Sequence, residues 1–194
     1  MQIKVGVSNR HVHLSEEDFK NLFGNTEFYS IKDLSQEGEF MSNLTVDLKT
    51  EKDIIKNVRV VGPVRKHTQV EISRTDAYKL GINPPIKMSN DFDGAIDIML
   101  SSFLTNKEIL AKNACILAHR HVHCKTSELD KYCLKDGQIL KIKIGGIRGA
   151  VIDNVIVKSK DTFNLELHLD TDEANALNLK NGDVVEILED NNGN

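Results

Sequence analysis

The apolar residues of this chain recur with a period of two in short runs, a pattern that excludes helical bundles before any single residue is weighed. Residues 3–7 (IKVGV), 44–48 (LTVDL), 58–61, 68–72 (TQVEI), 114–117, 139–144, 151–157 and 184–188 are rich in β-branched side chains and read as strands. Short helices punctuate them. Ser15 is placed to cap one, with Asp18 three residues on, Phe19, Leu22 and Phe23 on a shared face, and Gly24 where the helix should stop. Further short helices are expected after Thr75, Thr126 and Thr171, with Gly81, Gly137 and Gly182 near their ends. Strand–helix alternation with long crossovers is missing, so the expected fold is mainly β, built as small barrels capped by short helices.

Composition narrows the function classes. A chain of 194 residues, 40% hydrophobic and 28% charged, has enough apolar surface for one large domain or two small intertwined ones. The N-terminal MQIKVGVSNR has no apolar signal region and no run reaches the roughly 18 apolar residues of a membrane span, so a cytoplasmic protein is expected. Cys115, Cys124 and Cys133 form no C-x-x-C pair, which argues against a disulfide framework and a thiolate zinc knuckle. A net charge of -4 without a long basic run leaves no footprint for nucleic acid or an anionic membrane surface.

The chain also repeats itself. Thr126-Ser-Glu through Leu134-Lys-Asp-Gly matches Thr171-Asp-Glu through Leu179-Lys-Asn-Gly at an offset of 45 residues, each leading into a strand. The same offset carries His123 onto His168, each three residues before its threonine. A looser version appears twice more, with His13 two residues before Ser15 and Glu71 two before Ser73. Four times the chain runs strand, potential metal ligand, capping hydroxyl, short helix and glycine. Pseudo-symmetric units of this kind would bring their strand ends to one locus.

Arg-His-Val-His occurs twice, at residues 10–13 and 120–123, and takes four of the seven histidines. In an extended strand His11 and His13 project from one face and Val12 from the other; His121 and His123 repeat this around Val122. Two adjacent imidazoles can hold one cation. Zinc suits the set, since imidazole and carboxylate bind it at about 2.0–2.2 Å and three protein ligands leave a position open for chemistry. With Glu71 and His168 there are six candidate ligands, enough for two ions. The plainer readings are polar strand faces: a single H-x-H describes one equally well, Glu71 alternates with Val70 and Ile72 as a solvent-facing glutamate would, and His168 shares its face with Glu166 and Asp170. The repeat register selects Glu71 and His168 from that background.

Other residues are read less sharply. Cys124 should point away from the imidazoles as a small buried thiol, and His67 and His119 fall outside the register. Arg65, in GPVRKH, could grip an oxyanion bidentately or be a solvated loop arginine. Ser89, in PPIKMSND, could offer a hydroxyl or serve as a turn residue. The cluster GGIRGA at 145–150 lacks the spacing of a dinucleotide or phosphate loop and reads as a hairpin turn.

Taken together, SNRHVHLSEEDF, DLSQEGEF, GPVRKHTQVEIS, TDAYKLGINPP, RHVH and HLDTDEANALNLKNGDVVEI resemble the PduL-type phosphotransacylases, the phosphate propanoyltransferase family, over nearly the whole chain. The resemblance implies two β-barrels capped by short helices, intertwined through the N-terminal strand: residues 1–9 plus 119–194 in one, residues 10–118 in the other, with the active site between them. It implies reversible transfer of a short acyl group, acetyl or propanoyl, between coenzyme A and inorganic phosphate to give an acyl phosphate, with two zinc ions. His11, His13 and Glu71 match the ligands of one ion, whose open position takes the CoA sulfur, and His121, His123 and His168 those of the other. Arg65 and Ser89 match phosphate-contacting positions, Arg65 as the catalytic group, and Lys158 stands where an arginine assisting phosphate is expected. The adenine-binding residues are not identified. A homodimer is a family expectation, and beginning almost at the first motif, without a targeting extension, points to a free cytoplasmic enzyme. Two rival readings use the same ligands: a dizinc thioester hydrolase and a noncatalytic, metal-stabilised binding module.

Overall fold

The computed structural model describes residues 1–188 and divides into two units. One comprises Met1–Ser8, Ser35–Glu37 and the chain from His119 onward; the other comprises Asn9–Leu34 and Gly38–Ala118. Strand β1 (Gln2–Ser8) belongs to the first. The second holds β2 (His11–His13), α1 (Glu16–Phe23), β3 (Ser30–Asp33), β4 (Phe40–Lys49), β5 (Ile54–Gly62), β6 (Gln69–Ile72), α2 (Arg74–Leu80), β7 (Ile86–Lys87), β8 (Ile96–Ser102) and β9 (Lys107–Ala118). Back in the first unit come β10 (His121–Cys124), two single 3₁₀ turns (Thr126–Glu128 and Asp130–Tyr132), β11 (Ile139–Ile144), β12 (Ala150–Ser159), β13 (Glu166–Asp170), α3 (Thr171–Leu177) and β14 (Val184–Ile187).

Each unit is a closed six-stranded barrel. In the first the ring runs β1-β13-β10-β12-β11-β14 and returns to β1. In the second, β4-β5-β2-β6-β9 is closed by β8, which pairs with both β9 and β4, while β3 and β7 hang on the outside of the ring. Closure leaves no ring strand with an unpaired edge. Alternation fills the interiors: Leu44, Val46 and Leu48 of β4 pack into one core, Leu140, Ile142 and Ile144 of β11 into the other, and the residues between them face outward or into partial exposure.

The two rings have the same topology. Pairings β10/β13, β1/β14, β14/β11 and β11/β12 are antiparallel and β13/β1 and β12/β10 parallel. Replacing β10, β11, β12, β13, β14 and β1 by β2, β4, β5, β6, β8 and β9 reproduces every direction. The chain is therefore two tandem copies of one unit, and the strand that precedes each Arg-His-Val-His, β1 or β9, closes the ring of the other copy.

Local capping departs from the sequence expectation in an instructive way. Helix α2 is capped by Ser73, as the repeat register has it, so that Thr75 lies inside the helix; α3 is capped by Asp170 rather than Thr171; and the segment after Lys125, which offers no side-chain cap, forms 3₁₀ turns instead of an α-helix. An aspartate or serine oxygen with the right backbone angles outcompetes a threonine one or two residues later. With the caps corrected, the regularity tightens: the capping position falls two residues after His13, Glu71, His123 and His168 alike. The stops keep the 45-residue offset too, with Cys133 and Asn178 both left-handed at φ 54° and 55°, ahead of Gly137 and Gly182. GGIRGA is a hairpin turn, joining the antiparallel β11 and β12. Strand β8 and the first half of β9 were not expected from the pattern, because their buried positions include Ser101 and Ser102 and their exposed ones Leu110.

Candidate functional site

In the first barrel β10 and β13 are antiparallel neighbours, and their register sets His121 directly opposite His168. Val122 and Cys124 turn into the barrel core, which leaves His121 and His123 on the other face. The Nε2 atoms of His121 and His123 are 3.1 Å apart, and one ring nitrogen from each of His121, His123 and His168 lies within 4.8 Å of the other two. Among the described residues this is the one such trio of histidine, cysteine or acidic side chains. The His121 Nδ1–H donates to the His119 carbonyl at 2.7 Å, which turns the Nε2 lone pair toward the trio. His123 is buried, stacks on Phe163 at 3.8 Å, and its Nδ1 has no hydrogen-bond partner. Burial first, then the positive charges of His168, His121 and Lys158, hold its pKa far below the usual imidazole value. Three imidazole nitrogens this close together fit a divalent cation, and they match the donor set of an open zinc site.

Glu166, two residues before His168, supports it. Its Oε2 lies 3.0 Å from His168 Nε2 and accepts from the Ser35 hydroxyl at 2.7 Å, while Gln36 Nε2 sits 3.1 Å from the same imidazole nitrogen. Burial raises the Glu166 pKa, but the bonds from His168, Ser35 and Gln36 outweigh it and the net shift is downward. Gly6, paired with His168 on β1, makes room: a Cβ there would come within 2.9 Å of the Glu166 carboxyl.

The second barrel repeats the plan with different donors. His11 lies opposite Glu71 in the β2/β6 register, its Nε2 3.6 Å from Glu71 Oε2, and its Nδ1 meets the Asn9 carbonyl at 2.9 Å, as His121 meets that of His119. The rings of His11 and His13 are 5.0 Å apart and nearly perpendicular. Gln69, opposite His13 as Glu166 is opposite His123, donates to Glu71 Oε1 and to Ser89 Oγ at 2.9 Å, and accepts from Asn90 N at 2.7 Å. This set is looser than the three histidines but of the same design. An amide that donates supports a carboxylate, and a carboxylate that accepts supports an imidazole.

Arg65 stands at the end of this chain of contacts. Its Nη1 reaches Ser89 Oγ at 3.5 Å and its Nη2 donates to Glu39 Oε1 at 2.8 Å, so Arg65, Ser89, Gln69 and Glu71 are linked in sequence. Lys158 lies opposite His123 on β12, with its Nζ 5.9 Å from the ring centre of Phe163. Cys124 is fully buried in the core and burial raises its thiol pKa. His67 is exposed against Phe92, and His119 contributes its backbone carbonyl. Sequence reasoning missed Gln69, Glu39, Ser35 and Gln36; for Gln69 the signal was its place two residues before a candidate ligand, the place Glu166 holds in the other copy.

Comparison with known proteins follows from the same residues. A sequence profile described as phosphate propanoyltransferase matches residues 4–180. A phosphate propanoyltransferase of Thermotoga maritima is 45% identical over 189 residues, covering 96% of this chain and 89% of that protein. Those of Limosilactobacillus reuteri and Clostridioides difficile are each 40% identical, covering 91% and 96% of this chain and 82% and 88% of theirs.

Proposed function

This chain belongs to the phosphate propanoyltransferase family, and from that premise we propose that it is a phosphate acyltransferase moving a short acyl group, acetyl or propanoyl, reversibly between coenzyme A and inorganic phosphate. The reading includes two zinc ions, one held by His121, His123 and His168 and one by His11, His13 and Glu71, and a cytoplasmic setting. The observation that carries it is the convergence of three imidazole nitrogens within 4.8 Å in a protein of this family.

When bound, zinc supplies Lewis acidity that polarises the thioester carbonyl and stabilises the departing thiolate. The side chains do the rest. Phosphate is already ionised at neutral pH, so it needs positioning and charge neutralisation more than a base. Arg65 and Ser89 bind it, with the Glu39 carboxylate holding the guanidinium in place, and Lys158 adds positive charge without the planar fork of an arginine. A phosphate oxygen attacks the carbonyl carbon, the C–O bond forms, the C–S bond breaks and CoA leaves as thiolate. No acyl-enzyme is needed, and the buried, high-pKa Cys124 is unsuited to form one.

A thiol-release assay with acetyl-CoA and propanoyl-CoA, with and without phosphate, tests this alongside elemental analysis of the purified protein. Thiol should appear when phosphate is present and zinc should accompany the protein. Release independent of phosphate would replace the transferase with a thioester hydrolase. Zinc uptake and stabilisation with no turnover would leave only a binding module.

A further inference from the structure

The dizinc reading accounts for the histidines of Arg-His-Val-His but gives the arginine no task. In each barrel that arginine pairs with a carboxylate at an equivalent place. Arg10 Nε donates to Asp76 Oδ2 at 2.7 Å, and Arg120 Nη1 lies 3.3 Å from Glu173 Oε1. Asp76 and Glu173 occupy equivalent positions: each is the third residue of the helix whose cap lies two residues after the third candidate ligand, Glu71 or His168. Both carboxylates also close a capping box. Asp76 Oδ2 accepts from the Ser73 amide at 3.4 Å and Glu173 Oε2 from the Asp170 amide at 3.4 Å, while the cap oxygens of Ser73 and Asp170 accept from the Asp76 and Glu173 amides at 3.2 and 2.8 Å. The Asp76 side chain is only 5% exposed while that of Arg10 is 36% exposed, and Arg120 and Glu173 are 30% and 27% exposed.

We propose that Arg10 and Arg120 are positioning residues, each tying the strand that carries a histidine pair to the helix start that fixes the third ligand of the same cluster. Glu71 and His168 are each held on one side by the β2/β6 or β10/β13 ladder and on the other by a cap two residues on. The guanidinium joins that cap to the residue just before His11 or His121, closing a loop around the trio. Twofold occurrence on unlike helices, one capped by serine and one by aspartate, argues against chance. A lysine has no Nε–H alongside its terminal nitrogen and could not approach Asp76 in the same way.

The inference rests on the two zinc clusters of the proposed function, and the test separates the two. Full-length wild type, Arg10→Ala and Arg120→Ala are stripped of metal, titrated with zinc alone against a chromophoric chelator, and melted in the metal-free state. Each variant should weaken one zinc equivalent by roughly 10- to 100-fold, the range for losing a partner behind a metal ligand, and leave the other at wild-type affinity. The lysine variants should recover part of the loss. Asp76→Asn and Glu173→Gln, which retain an oxygen for the cap amide, should shift the same equivalents and serve where an alanine variant does not fold. Both equivalents at wild-type affinity with a lowered metal-free Tm would make the arginines helix-cap props and overturn the proposal. A wild-type protein that takes up no zinc would overturn the metal reading, and this one with it.

Discussion

His123 shows how a single position can be read two ways until its neighbours are known. On a strand it alternates with Val122 and Cys124, and alternation alone makes it a polar face residue. Its burial against Phe163, with Lys158, His121 and His168 all opposing its protonation, makes it a base kept neutral. Cys124 is the opposite case. It adjoins this cluster in sequence, yet its thiol lies in the barrel core and burial raises its pKa, so it offers neither a thiolate nor a path to substrate. Cys124→Ser should therefore keep phosphate-dependent thiol release at the wild-type rate, while the buried hydroxyl lowers stability by roughly 1–3 kcal/mol. Parallel assay and thermal melts check this; abolished turnover with normal metal content would require an acyl-cysteine route.

Among the elements, the short helices follow closely behind the candidate ligands. The cap of each lies two residues after a candidate ligand, and at α2 and α3 that cap is part of a reciprocal capping box. Ser73→Ala and Asp170→Ala should each cost about 1 kcal/mol, lowering Tm by roughly 2–4 °C in a chain of this size. Thr171→Ala, which removes the hydroxyl that the sequence pattern favours, should stay within about 0.5 kcal/mol. Differential scanning calorimetry distinguishes the two caps, and a larger loss at Thr171 than at Asp170 would contradict the assignment. The threonine reading failed because cap choice depends on backbone angles, which a residue list does not state.

At the scale of the molecule the governing feature is the exchanged first strand. β1 supplies Ile3 and Val5 to a core made otherwise from the chain beyond His119, and it is the strand that closes that ring against β13 and β14. Its start adjoins the end of β14, since the Ile187 amide donates to the Met1 carbonyl at 2.7 Å. A circular permutant that begins at Asn9 and carries residues 1–8 after Leu188 through a short Gly/Ser linker should thus close the same barrel by a β14–β1 hairpin. Far-UV circular dichroism and a cooperative melt like the wild type's are expected. Deletion of residues 1–8 should instead expose the β13 and β14 edges and give an aggregating protein. A deletion variant that melts like wild type would show that ring closure by β1 is dispensable.

Alternation with period two, the 45-residue repeat, the GGIRGA turn and the paired Arg-His-Val-His were all legible in the chain, because each is written in neighbouring residues and needs no knowledge of partners. The mainly β class followed from them, and the repeat register singled out His168 beside the histidine pair it meets across β10 and β13. Tertiary structure alone decided that His121 faces His168 and His11 faces Glu71, that Gln69 and Glu166 stand behind them, and that Arg10 and Arg120 reach helices far along the chain. Those facts depend on strand register and on which strand closes which ring. Both are fixed by hydrogen bonds and packing between residues distant in sequence, and no local pattern records them.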